Sequence, residues 1–199
     1  MPEEERDIKY YIDNNLPMPE GIMMDKIEVD LLSFDDGHLK LSNYPHPLPE
    51  GFIMNDGHLE FNGYDQPLPE SFMMYGGSLY LNGYDHPLPE GLTEIGGSLN
   101  LNGYPHPLPE GLTQVGGSLD LGNYDYPLPE GFQVGGALDL KGYTHPLPEG
   151  LQIAGDLILR DYPHPLPNDI QVEGKIHFLD DYHHELPKSL QNKVEQIKL

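Results

Sequence analysis

Gly91-Leu92-Thr93-Glu94-Ile95-Gly96-Gly97-Ser98-Leu99-Asn100-Leu101-Asn102-Gly103-Tyr104-Pro105-His106-Pro107-Leu108-Pro109-Glu110 decides how this chain folds, because the chain writes it again and again. The Leu-Pro pair begins at Leu48, Leu68, Leu88, Leu108, Leu128, Leu147, Leu166 and Leu186, in steps of 20, 20, 20, 20, 19, 19 and 20 residues. A fixed period of this length marks a stacked array in which each unit buries its apolar face only against its neighbours.

Within the unit, Leu99-Asn100-Leu101 alternates apolar and polar, so both leucines face one way and Asn100 faces the other. Equivalent triplets are Leu39-Lys40-Leu41, Leu59-Glu60-Phe61, Leu79-Tyr80-Leu81, Leu119-Asp120-Leu121, Leu138-Asp139-Leu140, Leu157-Ile158-Leu159 and Ile176-His177-Phe178. Each is too short to bury a face alone, but stacked in parallel at about 4.8 Å they form one long sheet. Leu108-Pro109-Glu110-Gly111 reads as a type I turn with Pro second and Gly fourth. Leu108, Leu112 and Val115 then face inward from the opposite wall. Gly116-Gly117 and Asn102-Gly103 supply corners with expected positive φ. Gly and Pro (23 and 21 of 199 residues) are strictly periodic, so they read as corners of a fold, and proline recurs too often for helix.

The ends depart from the period. Ser189 reads as an N-cap with Leu190, Val194 and Ile197 on one helical face, which predicts a C-terminal helical cap over residues 187–199. Residues 1–36 form an N-terminal cap in which Ile8, Tyr11 and Ile12 mark a short acidic helix. The run Ile27-Glu28-Val29-Asp30-Leu31 and the run from His38 to Leu41 read equally as a hairpin or as a shortened first coil. Residues 37–186 then form the array. The fold expected is all-β: a right-handed parallel β-solenoid or leucine-rich-repeat-like array of about eight coils.

The spacing Leu99-x-Leu101 with Leu108-Pro109-x-x-Leu112 resembles the short leucine-rich repeats of bacterial proteins, over roughly residues 37 to 190. That resemblance implies a solenoid with a binding role. Those repeats carry Asn or Cys three residues after the second strand leucine. In this chain that column is Tyr44, Tyr64, Tyr84, Tyr104, Tyr124, Tyr143, Tyr162 and Tyr182. The tyrosines are expected to stack as an aromatic ladder. Two residues later come His46, Gln66, His86, His106, Tyr126, His145, His164 and His184, read as a hydrogen-bonded or exposed ladder rather than a metal site.

Charge bears on function. The chain has 33 acids against 10 Lys plus Arg, a formal net of −23, and no Lys or Arg lies between Lys40 and Lys141. Direct binding to nucleic acid or to an anionic membrane is thereby disfavoured, and a protein partner with a basic surface is the natural complement. Over an array about 40 Å long the charge approaches the linear density of duplex DNA, about one per 1.7 Å. Two columns are candidate partner-binding sites. One is the corner row Glu50, Glu70, Glu90, Glu110, Glu130 and Glu149, which is either a solvated corner or a working surface. The other is the variable outward strand row Glu60, Tyr80, Asn100, Asp120 and Asp139.

No cysteine is present, so no thiol chemistry operates, and no phosphate loop, Gly-x-Ser-x-Gly elbow or His-Glu-x-x-His motif occurs. No catalytic residue, metal or cofactor is expected. From Met1 to Asn15 no basic region precedes an apolar run, so no secretory signal is read and a cytoplasmic location is expected. The function expected is a non-catalytic acidic array on a basic protein surface. Where that surface holds nucleic acid, this is a competitive inhibitor of the anti-restriction or anti-CRISPR kind that viruses encode. The alternative is a structural or adhesive module whose acidity serves solubility alone.

Overall fold

The computed structural model describes residues 8–19, 23–24, 38–41, 44–61, 63–178 and 182–196. These coil into a parallel β-solenoid with two sheets. The first sheet stacks β1 (Met23–Met24), β3 (Ile53–Met54), β5 (Met73–Met74), β7 (Glu94–Ile95), β9 (Gln114–Val115), β11 (Gln133–Val134), β13 (Gln152–Ile153) and β15 (Gln171–Val172). The second stacks β2 (His38–Lys40), β4 (His58–Glu60), β6 (Ser78–Tyr80), β8 (Leu99–Asn100), β10 (Leu119–Asp120), β12 (Leu138–Lys141), β14 (Leu157–Arg160), β16 (Ile176–Phe178) and β17 (Val194–Gln196). Every pairing is parallel, as coils advancing in one direction require.

Each coil has three sides: a strand of the first sheet, a strand of the second, and an extended Pro-Leu-Pro segment that closes the circuit. All three send apolar side chains inward. Met54, Met74, Ile95, Val115, Val134, Ile153 and Val172 line the first wall, and the paired residues of the leucine triplets line the second, all buried. Leu48, Leu68, Leu88, Leu108, Leu128, Leu147 and Leu166 fill the core from the proline side, also buried. The core is thus one continuous column of apolar rungs, as the repeat predicted.

The corners differ from expectation in instructive ways. The turn hydrogen bond runs from the Leu112 N–H to the Pro109 carbonyl (3.0 Å), so the turn is Pro109-Glu110-Gly111-Leu112, one residue later than read from sequence. The Asn-Gly corner does need left-handed backbone: Gly103 has φ 69°, and where the order is reversed Asn123 takes φ 57°. At the Gly-Gly corners the outcome is divided: Gly77 has φ 70°, whereas Gly97 and Gly117 do not have positive φ. Their requirement is space. A Cβ on Gly97 would lie 1.5 Å from the Gly77 carbonyl oxygen of the preceding coil.

The tyrosines hold the proline side. Leu88 sits between Pro87 and Pro89, so its N–H stands isolated in a stretch without neighbouring donors and is buried. The Tyr104 hydroxyl of the next coil accepts that N–H at 2.8 Å and donates to the His86 carbonyl at 3.0 Å. The same acceptance joins Tyr64 to Leu48, Tyr84 to Leu68, Tyr124 to Leu108, Tyr143 to Leu128, Tyr162 to Leu147 and Tyr182 to Leu166, at 2.8 to 3.1 Å. The expected aromatic stacking is secondary. Tyr124 and Tyr143 are parallel with centroids 6.5 Å apart, but the recurrent contact is the hydrogen bond.

At the C-terminus the predicted helical cap is replaced by a strand. Leu190 is buried as expected, and its N–H bonds to the Pro187 carbonyl, repeating the corner bond of Phe72, Leu92, Leu112 and Ile170. The chain then cuts directly to the second sheet, where β17 pairs in parallel with β16. A free ladder of backbone groups outcompetes a helix too short to be stable alone. At the N-terminus, α1 (Ile8–Asp13) forms the expected short helix, with Tyr11 and Ile12 against the core. β1 and β2 belong to different sheets and each pairs with the following coil, as a coil requires. The run from Ile27 to Leu31, on which the hairpin reading rested, lies outside the described residues.

Three substitutions test these constraints. Gly97→Ala is expected to lower stability by about 3 kcal/mol or more through overpacking, whereas Gly103→Ala, with nothing within 4 Å of the new Cβ, costs only about 1–2 kcal/mol. Tyr104→Phe keeps the ring but orphans the Leu88 N–H, at an expected cost of about 1–3 kcal/mol. Urea denaturation of the three variants would show the order.

Candidate functional site

Glu50, Glu70, Glu90, Glu110, Glu130 and Glu149 are all exposed and occupy the corner between the proline side and the first sheet. The fixed turn places one carboxylate per coil, so the row climbs the solenoid at about 4.8 Å per step. One member is engaged: the Ser71 hydroxyl, standing where most coils have Gly, donates to Glu50 and accepts the Gly51 N–H at 2.7 Å.

The proline side adds carboxylates that sequence reading did not single out. Asp65, Asp85 and Asp125 follow the tyrosines and have side chains 97%, 84% and 85% exposed. Their carboxylates lie 3.6, 3.6 and 3.3 Å from Nε2 of His86, His106 and His145, one coil further on. Their signal was present as an acid recurring directly after the tyrosine, in a column that also holds Pro105, Thr144 and Pro163.

The column two residues after the tyrosines forms a second inter-coil ladder. His106 Nε2 donates to the Asp85 carbonyl (3.0 Å), and His46, His164 and His184 do the same to Asn15, Thr144 and Pro163, at 2.6 to 2.8 Å. Tyr126 fills the position equally well, its hydroxyl donating to the Pro105 carbonyl at 2.8 Å. The shared requirement is a donor of the right reach. Among the described residues no group of three or more His, Cys, Asp or Glu side chains is arranged to hold a metal ion.

Glu60, Tyr80, Asn100, Asp120 and Asp139 do form one register row on the outer face of the second sheet. Their side chains are half-buried and partly committed. Glu60 lies 3.7 Å from Lys40 Nζ, Asn100 donates to Asp120 (3.2 Å), and Asp120 and Asp139 accept the N–H groups of Gly122 and Lys141. Glu110 and Asp120 are half a coil apart in sequence, so the two predicted columns sit on different sides of the solenoid and do not form one surface. The exposed acidic band is the corner row together with the aspartates of the proline side.

Fold and surface together define a parallel β-solenoid repeat protein with an acidic flank. No known protein family, curated protein or solved structure matches the chain. No helix among the described residues is long and apolar enough to cross a membrane.

Burial pushes the ladder tyrosines up from 10.0, to about 12 for Tyr84 and Tyr143, against the opposing effect of the bonds from the Leu68 and Leu128 N–H groups. In the unfolded chain these groups release their protons first, so their contribution is intact below pH 10 and is lost as pH rises toward 12. The solenoid is expected to unfold cooperatively across that window. Far-ultraviolet circular dichroism and tyrosinate absorbance, followed together, should change in the same step.

Proposed function

We propose that this chain is a non-catalytic acidic array that docks on a protein with a basic surface, and that it acts by occupying a surface which otherwise holds nucleic acid. The observation that supports this reading is the exposed row from Glu50 to Glu149 with Asp65, Asp85 and Asp125 on the same proline side, in a stretch that carries no Lys or Arg until Lys141. Parallel stacking sets like charges about one coil apart, an arrangement that disfavours folding. Most of these carboxylates hold no cationic partner among the described residues, so a basic partner would relieve the repulsion as it binds. The resemblance to short leucine-rich repeats accords with a role in protein recognition, and viral inhibitors of nucleic-acid-binding enzymes are the class in which such a charge pattern serves.

A solenoid also suits the task mechanically. Its carboxylates hang on a backbone fixed by two β ladders and two side-chain ladders between coils, so little ordering cost is incurred on docking. The band is linear and evenly stepped, as a phosphate backbone is.

The test is immobilised chain against cell lysate and against an arginine-rich DNA-binding domain, with that domain's own duplex as competitor. Capture is expected to fall at least about tenfold between about 50 and about 500 mM salt, and the duplex should displace the domain. Glu90→Gln, Glu110→Gln and Glu130→Gln combined should weaken binding at low salt. Capture indifferent to both salt and the triple substitution would overturn the reading.

A further inference from the structure

The outer face of the first sheet has a different chemistry from the rest of the molecule. Gln114, Gln133, Gln152 and Gln171 are register partners on β9, β11, β13 and β15, and all four are exposed. The column beside them is Gly116, Gly135 and Ala154, so the amides flank a shallow depression with almost no side chains on its floor. Between Glu94 and Glu173 neither column carries a charge. Towards the N-terminus the same face exposes Met73 and Tyr75, at 38% and 51%.

We propose that this face is a contact between two copies of the chain, packed sheet to sheet. The four amides make no side-chain hydrogen bond among the described residues. Each therefore presents a free donor and a free acceptor, repeated at about 4.8 Å. A structure that meets such a row in step must itself repeat at about 4.8 Å, as stacked β-strands do. A second copy has that period by construction, and a glutamine row is complementary to itself because each amide both donates and accepts. Charge selects the same contact. Two molecules of net charge −23 repel through their acidic flanks and can approach on a face that carries almost none.

The area sets the strength. Eight strands stacked at about 4.8 Å and about 10 Å wide give roughly 400 Å² per copy and roughly 800 Å² in all, the scale of weak, reversible association. The dimer therefore forms with rising concentration and is favoured by salt, which screens the flanks. This is the opposite salt dependence from docking on a basic partner, so the two readings stand or fall separately.

Sedimentation velocity of the full chain from about 10 µM to about 1 mM, at about 50 and about 500 mM salt, reads the outcome. Expected is a monomer–dimer equilibrium, tighter at high salt. Gln133→Glu with Gln152→Glu, which faces charge against charge across the contact, should weaken it at least about tenfold with circular dichroism unchanged. A chain still monomeric at the highest concentration and salt would overturn the proposal. So would a dimer as strong in the double variant as in the parent, or assembly beyond a dimer.

Discussion

Seven buried leucine N–H groups, each pinned between two prolines, constrain this architecture more than any other feature. Pro-Leu-Pro is a good third side for a small coil because it is stiff and extended without needing a ladder of its own. Its drawback is one donor per coil that no neighbouring backbone group meets, in a core where an unmet donor is destabilising. The tyrosine hydroxyl of the next coil meets it each time. The last unit illustrates the rule from the other direction: Leu186 follows Glu185 instead of proline, and no further tyrosine comes after it.

That arrangement explains why the inward columns change so little from coil to coil and the outward ones so much. The tyrosine must reach a fixed point on the preceding coil, so the coil spacing is set by a side chain as well as by two β ladders. The glycines at the Gly-Gly corner follow from this close spacing, because any Cβ at Gly97 or Gly116 would enter the carbonyl below. The histidine column adds a second side-chain ladder between the coils. Outward positions carry none of these duties, and there the residues vary: Lys40, Glu60, Tyr80 and Asn100 succeed one another on the second sheet.

Periodicity made the solenoid, its parallel strands and its buried columns legible, because each column repeats a single physical requirement. What the period could not convey was the reason for a column. The tyrosines looked like a stacking ladder because aromatic recurrence suggests rings, whereas the partner of the hydroxyl is visible only once Leu88 and Tyr104 are brought together. Gly117 looked like a positive-φ residue because a missing side chain and a free backbone leave the same mark in sequence. The C-terminal segment failed for a related reason. Leu190, Val194 and Ile197 fit helical spacing, but the open edge of β16 is a tertiary fact. Of the two predicted site columns, exposure of the glutamate row followed from its turn position. Separation of the two columns onto different sides required knowing where the three sides bend.

The surface then divides by chemistry in a way that follows from the coil's geometry. Each side of a solenoid repeats one column along its full length, so a single substitution inherited through the repeats becomes a stripe. Glutamate at the corner turn becomes a line of negative charge, and glutamine on the first sheet becomes a neutral amide row. In a compact globule the same residues would be scattered over the surface. Here they are concentrated into two faces of contrasting electrostatic character, one lined with carboxylates and one nearly uncharged. Under the two proposals, the acidic flank would hold a basic partner and the amide face would meet another copy. The two proposed contacts would draw on different columns, because the glutamate corner and the amide row follow different lines along the solenoid.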